Sequence, residues 1–75
     1  MATMTTHYTN EAADMTTELT WGKQDDVFFF STAIFKNGRP YSQTVTKCVS
    51  EEAQSTMASI NAMLANKGFS PMEEV

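Results

Sequence analysis

The residues whose types could do chemistry are His7, Cys48 and the adjacent pair Asp25-Asp26. A general base needs an acid or a nucleophile within reach, and His7 sits in a Thr-rich stretch with neither at a telling spacing. Cys48 lies in a β-branched run, where a packed thiol is expected. A reactive thiolate needs a helix dipole or cationic help, and only Lys47 is adjacent. Asp25 and Asp26 diverge as neighbours in a turn, and no metal-loop spacing follows them. The single His and the single Cys cannot together form a zinc site of the usual ligands, and a lone Cys cannot close an internal disulfide. The three glycines are too far apart to cradle a phosphate. These residues therefore read as a chain that is not an enzyme, with no cofactor and no metal.

Charge and length bound the alternatives. The 75 residues carry nine Asp and Glu against five Lys and Arg, a net charge of −4 that argues against nucleic acid as a partner. No apolar run is long enough to span a bilayer, so no membrane partner is expected. The N-terminus lacks the basic and apolar regions of a secretory signal, which points to the cytoplasm, the host cell's if the chain is phage-encoded. A single core of this size supplies about 3–5 kcal/mol, so a partner or second subunit would add useful stability.

The elements that must position any site follow from local patterns. Residues 1–17 read as a mobile or short-helix N-terminal segment, with Asn10 capping a helix through Glu11 to Met15. Residues 18–69 read as a β-β-β-α domain, and residues 70–75 as an acidic C-terminal tail. Glu18 to Trp21 alternates, Val27 to Phe35 is an unbroken β-branched and aromatic run, and Arg39 to Val49 returns after Asn37-Gly38, a strong hairpin signal. Ser50 is expected to cap a helix whose apolar stripe is Ala53, Met57, Ile60 and Leu64. Gly68 and Phe69 then close it as a Schellman stop. The fold class is α+β: a three-stranded antiparallel meander with a C-terminal helix on one face.

Counting outwards from the two turns pairs Trp21 with Phe30, Leu19 with Thr32, Ile34 with Tyr41, Phe30 with Val45 and Phe28 with Lys47. Leu19, Trp21, Phe30, Ile34, Tyr41 and Val45 then share the core face. Val27, Phe29, Ala33 and Phe35 are left on the other. A helix covers only one face of a sheet, so these four form a candidate interface. Three covers are open: the N-terminal segment through Met4, Tyr8 and Met15, a second copy of the chain as a homodimer, or a different protein.

Charge is segregated along the chain, −4 over residues 1–26, +3 over 27–50 and −3 over 51–75. Asp14, Glu51 and Glu52 are the acids expected to approach a basic protein surface, while Glu51 and Glu52 also suit a helix N-terminus. Lys36, Arg39 and Lys47 are expected to blunt a sheet edge against self-pairing.

With a first short helix, the order helix, three strands, helix is similar to a double-stranded-RNA-binding domain. That family carries lysines where this chain has Ser50-Glu51-Glu52-Ala53-Gln54. The segment Met72-Glu73-Glu74-Val75 resembles a chaperone tail peptide read by tetratricopeptide clamps, without its last Asp. In size, acidity and strand–turn–strand–helix order, the chain resembles small acidic phage-encoded proteins that act on host machinery, anti-CRISPR proteins among them. That resemblance implies a small module that binds a host protein or complex and blocks or modulates it. The alternatives are a structural homodimer without inhibitory role, or a weak nucleic-acid-binding domain using Lys36, Arg39, Lys47 and Tyr41.

Overall fold

Alternating β-branched and aromatic residues build a sheet of five antiparallel strands in the computed structural model, which describes residues 3–72. The strands are β1 (Thr3–Asn10), β2 (Met15–Gln24), β3 (Val27–Lys36), β4 (Arg39–Val49) and β5 (Ser70–Pro71), in the order β4-β3-β2-β1-β5. One helix, α1 (Ala53–Asn66), packs on one face.

The class is α+β, but the three-stranded sheet is overturned. Residues 3–17, expected within a mobile or short-helix segment, instead supply all of β1, a 3-10 turn and the start of β2; residues 1 and 2 lie outside the described residues. The Thr-rich composition conceals this, since Thr suits a pleat without adding apolar area. Thr5 and Thr20 face each other, their hydroxyls 3.1 Å apart. The expected short helix is one 3-10 turn, Glu11–Ala13, capped by Asn10 Oδ1 accepting from the Ala13 N–H at 3.3 Å. Ser70 and Pro71, expected in a loose tail, pair with β1 as β5, and residues 73–75 lie outside the described residues.

The β2–β3 register is as expected, with Trp21 opposite Phe30 and Leu19 opposite Thr32. Asn37 and Gly38 both have positive φ, 54° and 77°, as a type I′ turn requires. Beyond that turn the expected register fails. Phe35 pairs with Pro40, but Ile34 pairs with Ser42, leaving Tyr41 as the extra residue of a bulge beside Pro40. The pairs are therefore Ile34–Ser42, Phe30–Thr46 and Phe28–Cys48. Because side chains alternate, a slip of one residue moves Val45 off the core face and onto the other.

Tyr8, Leu19, Phe30, Ile34, Leu64 and Phe69 make the core, with Met57 and Ile60 packed against it. Ser50 does not cap α1: its N–H and hydroxyl both donate to the Asp26 carbonyl, at 3.1 and 3.3 Å. The helix stop is the expected Schellman motif, with Phe69 N–H to Leu64 O at 2.9 Å and Gly68 N–H to Ala65 O at 3.0 Å. Asn10 Nδ2 donates to Lys67 O at 3.0 Å, tying the β1–β2 turn to this helix end. Tyr8 donates its hydroxyl to Asn61 Oδ1 at 2.7 Å, fixing β1 beneath α1.

Candidate protein-interaction face

Strand alternation leaves Val27, Phe29, Ser31, Ala33 and Phe35 of β3 on the face away from α1. The bulge adds Val45 and Val49 of β4 beside them. Cross-strand pairs there are Val27–Val49, Phe29–Lys47, Ser31–Val45, Ala33–Gln43 and Phe35–Pro40. Val27 is 41% exposed, Val49 49% and Val45 58%, while Phe29, Ala33 and Phe35 are half-buried by their neighbours in the sheet. Tyr41, expected in the core, is 64% exposed at the bulge. A hollow of about 460 Å³ lies at this end, lined by Ala33, Phe35, Pro40, Tyr41 and Gln43 among others.

The described residues of the N-terminal segment, 3–17, do not cover this patch. They add β1 to the side of the sheet, with Tyr8 buried under α1 and Met15 packed against that same core. Met4, opposite Trp21, is itself 63% exposed. Among the described residues no helix or strand lies over the open face.

The β1–β2 part of the same face is of different chemistry. Its cross-strand pairs are Thr5–Thr20, His7–Glu18 and Thr9–Thr16. His7 Nε2 lies 3.6 Å from Glu18 Oε1, with both side chains about half exposed. Glu18 is eleven residues from His7 in the chain, and only the pairing of β1 with β2 brings the two together. The contact is an exposed pair of small energetic weight.

The acids singled out from the sequence do not share one surface. Asp14 follows the 3-10 turn, and its carbonyl accepts from the Asn37 N–H at 3.0 Å beside the β3–β4 hairpin. Glu51 and Glu52 follow β4 at the other end, where Ser50 meets Asp26. Strand β3 separates the two ends by about 33 Å at the usual rise per residue. Val27, Phe29, Ala33 and Phe35, by contrast, are brought together as expected. Val45, Val49 and Tyr41 were missed, although Pro40 so close to the turn was a signal for a bulge.

Cys48 is a free, half-buried thiol opposite Phe28. Among the described residues no three His, Cys, Asp or Glu side chains stand close enough to hold a metal ion, and no helix is long and apolar enough to cross a membrane. Compared with family models, curated proteins and solved structures, the chain matches none, so its function has to be argued from its own open face.

Proposed function

We propose that this chain is a non-enzymatic interaction module that binds another protein through the open β3–β4 face and thereby blocks or modulates it. The observation that carries the reading is the apolar patch of Val27, Phe29, Phe35, Val45 and Val49, which nothing within the described chain covers. Burying such a patch against a partner releases water from apolar surface, the main favourable term in protein association. Phe29 and Phe35 are the anchors, being the largest side chains in it and rigid enough to lose little entropy on binding. Lys47, opposite Phe29, and Gln43, opposite Ala33, supply polar atoms among them.

The size, acidity and style of the chain favour a phage-type inhibitor acting in the cytoplasm of a host cell, where the lone Cys48 would remain a thiol. The β3–β4 segment carries only Lys36, Arg39 and Lys47 as cations, too few to displace the counterions of a phosphate backbone, which makes nucleic acid the poorer fit for the same face. The test is capture from a bacterial lysate on immobilised wild type and on Phe29→Ser/Phe35→Ser, read by mass spectrometry. One stoichiometric protein, lost with the variant, supports the proposal. Capture that is indifferent to the variant, or salt-sensitive capture of nucleic acid in place of protein, contradicts it.

A further inference from the structure

The free edge of the sheet carries information separate from its open face. Strand β4 is the outermost strand at one side, while β1 at the other side is partly closed by β5. All residues of β4 except the half-buried Cys48 are exposed. A long edge of this kind presents a row of unpaired backbone N–H and C=O groups to any strand that fits it. Arg39, Pro40 and the bulge at Tyr41 blunt the start of this edge, and Lys47 is the one charged side chain beyond them. From Ser42 to Cys48 the strand is regular, and that run is centred on Val45.

We infer that two copies of this chain pair antiparallel through β4, about a dyad at Val45, so that one sheet continues across both. In that register Val45 faces Val45 of the second copy, Gln43 faces Lys47, Thr44 faces Thr46 and Ser42 faces Cys48. No lysine opposes a lysine, and the central pair is apolar and β-branched on both sides. Charge selects the direction. Antiparallel pairing brings Arg39, with Lys36 beside it, to the level of Glu51 and Glu52 of the second copy, at both ends of the seam. Parallel pairing would instead set Arg39 against Arg39 and Glu51 against Glu51, which is unfavourable.

The same pairing uses the other side of β4. A groove of about 290 Å³ runs between α1 and β4, lined by Thr46, Ser59, Ile60 and Met63 among others. A second β4 would extend its floor and set the two helices on the same side of the joined sheet. The open apolar patches of both copies would then form one surface. This pairing does not depend on the partner proposed for the open face.

The test is light scattering over a concentration series with Val45→Lys and Val45→Glu, both at an exposed position. Each variant alone should dimerise about tenfold or more weakly than wild type, and an equimolar mixture of the two should recover the dimer. Arg39→Glu and Glu51→Arg/Glu52→Arg should each weaken self-association and restore it when mixed, which only an antiparallel seam predicts. Phe29→Ser/Phe35→Ser should dimerise as wild type does. A wild type that stays monomeric throughout overturns the inference. So does a dimer indifferent to Val45→Lys, one lost with Phe29→Ser/Phe35→Ser, or the finding that β4 instead adds a strand of another protein.

Discussion

Two regions of the open face, built on adjacent strand pairs, meet solvent in different ways. On β1 and β2 it is a ladder of Thr5, Thr9, Thr16 and Thr20 with the His7–Glu18 pair, side chains whose hydroxyls and charges suit water. On β3 and β4 it is Val27, Phe29, Phe35, Val45 and Val49, exposed or half-exposed with only Lys47, Ser31 and Gln43 between them. The backbone does not explain the difference, since all four strands are antiparallel and neither region lies beneath α1. Threonine has the β-branch a strand wants at little apolar cost, so the first region presents a sheet face to water without an apolar patch. The second region departs from that solution, which is the physical ground for proposing a partner there.

The comparison can be tested by its energetics. The largest effect lies on the covered face, where Phe30→Ala should destabilise by about 3–5 kcal/mol and leave most molecules unfolded, as urea titration followed by circular dichroism would record. Phe29→Ser, one residue away on the open face, should cost about 1 kcal/mol or less in the same titration. Equal losses would mean that Phe29 is part of a core and not of a binding surface.

Gly68→Ala should cost about 1–2 kcal/mol, because φ is +90° there and an added Cβ would meet Asn10 Nδ2 at 2.9 Å. That substitution strains the tie between α1 and the β1–β2 turn while leaving the open face untouched, so partner capture should survive it.

Two smaller effects concern polar groups under the helix. Thr17 is fully buried, its hydroxyl without a partner among the described residues, and Thr17→Val should stabilise by about 1 kcal/mol in thermal unfolding. Burial holds the Tyr8 hydroxyl proton above its ordinary value of 10.0. The folded form therefore binds that proton more tightly than the unfolded form. The resulting stability is fully present below about pH 10 and is lost as pH rises through the folded value. Tyr8→Phe should be about 1 kcal/mol less stable than wild type near neutrality, through loss of the bond to Asn61, and the gap should shrink in alkaline buffer.

Much of this fold was legible in local chemistry. Asn37-Gly38 marked the hairpin, the apolar steps to Leu64 marked the helix, and Gly68-Phe69 marked its stop. Strand β1 and the register of β4 were not legible, for different reasons. Strand β1 has Tyr8 as its one buried residue, so its pattern carries too little apolar contrast to distinguish a strand from a mobile segment. The β4 register depended on the bulge at Tyr41, a tertiary choice that only Pro40 hinted at. Of the open face, Val27, Phe29, Ala33 and Phe35 were readable because they lie on β3, whose register with β2 is free of bulges. Val45 and Val49 lie beyond the slip and were not.

The most direct test of the working-surface assignment is hydroxyl-radical footprinting of the chain alone and in its captured complex. Phe29, Phe35 and Tyr41 should react in the free chain and lose reactivity in the complex, while Phe30 and Phe69 stay unreactive in both and the exposed Met4 and Met72 stay reactive. Unchanged reactivity at Phe29 and Phe35 with partner bound, and protection at Met4 or Met72 instead, would contradict the account.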